Sequence, residues 1–75
     1  MKLTETKIIN ANLYKLTYSE EGVPLYQLYI IKKEANDFSF LLKDLENRKE
    51  FDSERSYMDE ANCEAAGLNL MWEMH

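Results

Sequence analysis

The residues that could do chemistry in this 75-residue chain are few. Its only cysteine and only histidine, Cys63 and His75, could in principle form a thiolate–imidazole pair for nucleophilic catalysis. No Cys-X-X-Cys or His-Glu-X-X-His spacing supplies a set of metal ligands. The simpler interpretation is a small helix side chain and a frayed chain end. The sequence therefore predicts a protein that is not an enzyme and holds neither a metal nor a cofactor.

Carboxylates are the abundant chemical group. Eight acids and three bases lie between Asp44 and Glu64, so this segment carries a charge of −5 while the remainder of the chain is neutral. General acid–base catalysis would need a pocket that separates the pKa values of two carboxyls. A solvated acidic face is the ordinary interpretation. The sharper hypothesis is a docking surface, because an array of carboxylates can imitate a nucleic-acid backbone and attract a basic groove.

We expect four acids to form this docking surface: Asp52, Asp59, Glu60 and Glu64. Small acidic α+β proteins of phages and mobile elements, anti-CRISPR-like proteins among them, often act on host nucleic-acid enzymes in this way. That comparison rests on size and charge, so it is an analogy and not a family resemblance. The sequence thus predicts an inhibitor or adaptor that binds a basic surface of a larger protein. Direct nucleic-acid binding is not expected, because the acidic half would repel phosphates.

A β-hairpin is the element that organises the chain. Two runs rich in Ile, Leu and Tyr, residues 7–18 and 23–33, flank a loop that we predict as Glu20-Glu21-Gly22. With Ser19 opposite Val23, one face carries Tyr14, Leu16, Tyr26 and Leu28 and should pack in the core. Asn10 and Asn12 interrupt the alternation of the first strand, which indicates a bulge or an edge position.

The second face of the hairpin has no predicted cover. Its apolar residues are Leu13, Leu25, Tyr29 and Ile31, with Ala11 at its end. Exposed Tyr and Leu in one patch commonly mark an interface. The alternative function is therefore a homodimeric structural or regulatory subunit that associates through this face.

The middle of the chain is less regular. Residues 38–42 fit a strand with Phe38, Phe40 and Leu42 on one side. They also fit a helix whose apolar face would carry Phe38, Leu41, Leu42 and Leu45. The strand is favoured because two aromatic residues follow a tight polar turn. Residues 1–7 are predicted as a short lead and residues 43–51 as a charged connection.

A helix is predicted over residues 53–66. Asp52 or Ser53 would cap its start and Gly67 would end it. The expected buried stripe is Met58, Ala61, Ala65 and Leu68. Residues 68–74 alternate between apolar and polar side chains, which predicts a final strand. A continuation of the helix would bring Leu68, Met71 and Trp72 together, but it must cross Gly67 at a cost of about 1 kcal/mol relative to alanine.

Together these elements predict one small α+β domain over residues 1–75. A small antiparallel sheet, the N-terminal hairpin plus one or two further strands, would pack against one helix in the order ββ(β)αβ. A single cysteine forms no internal disulfide, and neither a signal-like segment nor an apolar run of about 18 residues is present. We therefore expect a soluble, cytoplasmic protein that does not bind membranes.

Overall fold

The computed structural model describes all residues from Met1 to His75, in five strands and one helix. They are β1 (Lys2–Asn10), β2 (Leu13–Glu20), β3 (Val23–Glu34), β4 (Asp37–Asp44), β5 (Lys49–Asp52) and α1 (Glu60–Met74). The strands form one antiparallel sheet whose spatial order is the order of the chain. The α+β class and the single helix packed on a small antiparallel sheet are confirmed. The predicted order ββ(β)αβ is wrong, because the helix comes last and three strands are added to the hairpin.

The N-terminal residues form the outer strand β1 instead of an irregular lead. The predicted strand over residues 7–18 is divided by a turn at Ala11 and Asn12. The backbone N–H of Asn12 donates a hydrogen bond of 2.8 Å to the side-chain oxygen of Asn10, which is the short-range bond that stabilises an Asx-type turn. The two asparagines therefore mark a reversal of the chain, and Asn10 ends the edge strand β1 next to a register shift between Ile8 and Asn10.

The hairpin of β2 and β3 closes with a two-residue turn. Glu21 and Gly22 both have positive φ, 52° and 80°, as a type I′ turn requires. Leu16 faces Leu28, two residues from the predicted partner Tyr26. The shorter turn shifts the register by one residue, and a bulge between Tyr18 and Ser19 shifts it by another. Because the total shift is even, the side chains beyond the bulge keep their predicted faces, whereas Leu25, the extra residue of the bulge, does not.

Residues 38–42 are confirmed as strand, and exposure alternates along the whole of β4. After β5 the chain continues beside β4, which overturns the helix predicted from residue 53. The N–H of Ser53 donates to the carbonyl oxygen of Phe40 at 2.9 Å. Phe38 and Tyr57 exchange two backbone hydrogen bonds of 2.8 Å. These pairings hold residues 53–57 extended, so Asp52 and Ser53 cap no helix.

The helix begins at Glu60, about two turns later than predicted, and extends to Met74. Asp59 is its N-cap, and the Asp59 carboxylate accepts the N–H of Asn62 at 2.8 Å. Gly67, predicted as the C-terminal residue, lies inside the helix, so the predicted strand over residues 68–74 is wrong. The only helix of the chain has 15 residues and is too short to cross a lipid bilayer.

The core lies between α1 and the inner strands β3 and β4. Cys63, Gly67 and Met71 recur every fourth residue and form the buried stripe of the helix. The predicted stripe is wrong except at Leu68, which packs against the core. Met58 lies before the helix with 77% of its surface exposed, and Ala61 and Ala65 face solvent. The strand residues of the core are Leu16, Tyr26, Leu28, Ile30, Phe38, Phe40 and Leu42.

Candidate functional site

Four acids line one end of the sheet and the start of the helix. Asp52 lies on β5 opposite Leu41, Glu54 follows it, and Asp59 and Glu60 begin α1. We call these residues, Asp52, Glu54, Asp59 and Glu60, the acidic edge. All four are exposed and none has a cationic partner. Three of the four are residues that the sequence predicted for the docking surface, and Glu54 is added to them.

Three acids elsewhere in the chain have a basic side chain within ion-pair distance. Glu5 pairs with Lys15 at 3.4 Å and Glu50 pairs with Lys43 at 3.6 Å. The ring of His75 lies 3.3 Å from the carboxylate of Glu20. The acidic edge differs from these three sites in having unopposed carboxylates, a property that it shares with the exposed acids Glu21, Glu34 and Glu73.

Asp59 holds its carboxylate in a fixed position. One carboxylate oxygen accepts the backbone N–H of Asn62 at 2.8 Å, and the other accepts the side-chain amide of Asn62 at 2.8 Å. Both donors are uncharged, so these hydrogen bonds orient the carboxylate of Asp59 without neutralising its charge. Glu60 follows in the first turn, where the positive end of the helix dipole favours an acid.

Glu64 does not join the acidic edge. Its carboxylate accepts a hydrogen bond of 2.8 Å from the hydroxyl of Tyr14 on β2, on the other side of the helix. Burial, and then the hydrogen bond and charge of Glu64, raise the pKa of Tyr14 well above its usual value. Tyr14 thus stays protonated as a donor, and Glu64 fastens α1 to β2.

An open cleft of about 570 Å³ lies beside the acidic edge, between β5 and α1. Its apolar lining includes Phe40, Tyr57 and Leu70, and its polar lining includes Asp52 and Glu54. The guanidinium of Arg55, also in the lining, lies 5.1 Å from the centre of the Tyr57 ring. The cleft therefore combines aromatic surface with carboxylates and already holds one cation against a ring.

The sheet face away from α1 has no second layer. Leu13 lies opposite Ile31, and Tyr29 lies opposite Leu41, all partly exposed. These four residues are the solvent-face patch. Leu25, predicted to belong with them, packs against the core cluster instead. Leu41 was missed, although the inward alternation of Phe38, Phe40 and Leu42 implies that it points outward.

Cys63 and His75 do not form a catalytic pair. They lie twelve residues apart on α1, a separation of about 18 Å along a helix. The Cys63 thiol is fully buried, and burial, followed by the charges of Glu60 and Glu64, raises its pKa to about 11. No three His, Cys, Asp or Glu side chains converge as metal ligands.

No protein-family model, no curated protein and no solved structure matches this chain.

Proposed function

We propose that this chain is a non-enzymatic binding module, an inhibitor or adaptor that docks its acidic edge on a basic surface of a larger protein. The observation that carries the proposal is the grouping of four exposed acids without a cationic partner, Asp52, Glu54, Asp59 and Glu60, in the one segment that carries the net charge of −5. A surface that binds nucleic-acid phosphates offers the complementary charge. On such a surface this chain would compete with the nucleic acid.

Charge also supports fast association. The whole chain has a net charge of −5, all of it in the segment that contains the acidic edge. Oppositely charged surfaces attract each other before contact and raise the association rate, and salt weakens that attraction. We therefore expect the partner to bind quickly at low salt and to be released by a salt step.

The cleft suits a basic side chain from the partner. A Lys or Arg can lay its alkyl stem along Phe40 and Leu70 while its charged end meets Asp52 and Glu54. The position of Arg55 over Tyr57 indicates that this ring accommodates a guanidinium. An incoming Arg would take the place of Arg55, which is free to swing into solvent.

The test compares two variants that remove the same amount of charge. The edge variant carries Asp52→Asn, Glu54→Gln and Glu60→Gln, and leaves the helix cap Asp59 intact. The control variant carries Glu21→Gln, Glu34→Gln and Glu73→Gln, which are exposed acids without ion pairs. The probe is a labelled arginine-rich peptide, with affinity measured by fluorescence anisotropy at two salt concentrations.

We expect the edge variant to bind the peptide about tenfold more weakly, and the control variant to change affinity about twofold, because exposed charges at a distance are screened. An equal loss in both variants would show that only the net charge matters and would refute the proposal. The same pair of variants then serves in a capture experiment with any isolated partner.

A second candidate function is a homodimeric structural or regulatory subunit that associates through the solvent-face patch. The observation in its favour is the apolar group of Leu13, Tyr29, Ile31 and Leu41 with no layer above it. Replacing Tyr29 and Ile31 by Ser should then halve the particle mass measured by light scattering without unfolding the chain. A wild type that stays monomeric at high concentration excludes this function.

A further inference from the structure

β1 is an exposed edge strand of unusual length for so small a sheet. It has nine residues, all exposed, and only β2 pairs with it. Three of the six large apolar side chains exposed by the chain lie on it: Leu3 (46%), Ile8 (79%) and Ile9 (45%). The outer backbone groups of such a strand can pair with a further strand.

The charges of β1 are balanced only in part. Lys7 lies directly opposite Lys15 on β2, and like charges in that position destabilise a sheet. Glu5 pairs with Lys15 at 3.4 Å, which neutralises one member of the pair. Lys7 has no carboxylate partner. The strand therefore offers a cation beside an acid, both on the face away from α1.

We propose that β1 pairs antiparallel with β1 of a second copy about a two-fold axis at Thr6. In this register Glu5 of each copy lies opposite Lys7 of the other, so two complementary contacts form. Beyond this central stretch the bulges of β1 end regular pairing, so Ile8 and Ile9 of one copy lie near Thr4 and Leu3 of the other without being directly opposite them. The result is one continuous ten-stranded sheet with both helices on the same side.

The irregularities of β1 restrict this pairing to its centre. The register with β2 shifts between Leu3 and Glu5 and again between Ile8 and Asn10, so residues 5–8 form the regular stretch around Thr6. Bulges bend a strand and end its pairing. The two-fold interface uses the same patch on both copies, so the assembly closes as a dimer.

The alternative site for a second copy, the solvent-face patch, is already partly covered. The ammonium group of Lys43 lies 5.2 Å from the centre of the Tyr29 ring, and both ion pairs of the sheet flank the patch. Ile8, in contrast, is four-fifths exposed.

β1 and β5 are opposite edges of the sheet, so the dimer leaves both acidic edges free at its two ends. Such a dimer would bind a basic partner at two points.

The first test is a site-specific disulfide. Residues directly opposite each other in an antiparallel pair have Cα atoms about 4.5–5.5 Å apart, within the range that a disulfide spans. Thr6→Cys should therefore cross-link two copies within minutes under mild oxidation, whereas Ser56→Cys, equally exposed on the β5–α1 connection, should not. The native Cys63 is buried and does not interfere. Equal cross-linking of the two variants overturns the proposal.

The second test is a charge exchange read by light scattering. Lys7→Glu places acids opposite acids and Glu5→Lys places bases opposite bases, so each alone should weaken dimerisation about tenfold or more. A mixture of the two variants should form dimers again, and so should the double variant. Lys33→Glu, the same charge change on β3, should leave the dimer intact.

A monomeric wild type, or a dimer that only the Tyr29 and Ile31 substitutions dissociate, contradicts the β1 interface. Neither result bears on the acidic edge, which the peptide assay tests separately.

Discussion

Gly67 of α1 lies directly against Leu28 of β3. A Cβ atom at Gly67 would be 2.6 Å from one terminal methyl of Leu28 and 2.9 Å from the other. Leu28 is fully buried, so its methyl groups can shift only against the neighbouring core side chains. A glycine inside a helix costs about 1 kcal/mol relative to alanine. The chain accepts that cost at a position where the helix backbone lies directly against a side chain of the sheet.

Gly67→Ala should therefore destabilise the protein although alanine favours helix. Overpacking a filled core typically costs about 1–3 kcal/mol, which exceeds the gain in helix propensity. Urea unfolding measures the change in the free energy of unfolding. Asn69→Ala, an exposed position on the same helix, is the matched control and should be neutral or stabilising. Combining Gly67→Ala with Leu28→Ala should cost less than the sum of the two, because the methyl groups that clash are removed.

Asp59→Ala should lower the free energy of unfolding by about 1 kcal/mol, because the N-cap bond to Asn62 is lost. Asp59→Asn or Asp59→Ser should retain most of the stability, since both side chains cap helices well. Circular dichroism in urea checks the three variants together. A full loss in Asp59→Asn would contradict the capping role and point to the charge itself.

The ionisation of Asp44 should make the free energy of unfolding depend on pH in the acidic range. Burial by itself would raise the pKa of this carboxyl, but hydrogen bonds from the backbone and side chain of Asn47, then the backbone of Glu46 and the charge of Lys49, outweigh burial and lower it. Because folding lowers this pKa, the ionised carboxylate of Asp44 stabilises the protein at pH values above its usual pKa near 3.8. This stabilisation is lost as the pH falls below that value and through the lowered pKa. Asn47→Ala should cost about 1–3 kcal/mol at neutral pH. The difference from wild type should shrink in acid, as urea unfolding at several pH values would show.

The tyrosines of the helix-facing side should make the protein sensitive to alkali. Burial is the main cause that raises the pKa of Tyr14, Tyr18 and Tyr26. In the unfolded chain these phenols ionise near pH 10, so the unfolded state loses protons first and stability falls as pH rises above about 10. In an alkaline titration, the phenolate absorbance of the native protein should rise at higher pH than that of a denatured sample. Tyr14→Phe should reduce the alkaline loss, and an unchanged pH profile would argue against the buried phenol as its cause.

Side-chain alternation was sufficient to predict the faces of the hairpin and the strand at residues 38–42. Tyr14, Leu16 and Leu28 point to the core as expected, because an even register shift leaves the faces unchanged. The register was not predicted, because the turn is one residue shorter than expected and Leu25, next to Pro24, is the extra residue of a bulge. The solvent face followed from the same alternation, apart from Leu25.

The helix was misplaced because its two signals are ambiguous without tertiary structure. Both Ser53 and Asp59 are good caps, and only the pairing of residues 53–57 beside β4 decides between them. Gly67 resembles a helix end, but its role depends on a contact with Leu28 from a distant strand. The acidic edge was predicted by charge, whereas the separation of Glu64 depended on Tyr14, fifty residues away.

The meander order of the sheet has a consequence for how the chain acquires its structure. Every strand pairs with its neighbour in sequence, so each hairpin can form with a short loop closure as soon as its second strand leaves the ribosome. The helix that covers Leu28, Ile30 and Leu42 is synthesised last. Until α1 docks, the nascent sheet presents its apolar face uncovered, which is the period when an unfinished chain is most exposed to aggregation.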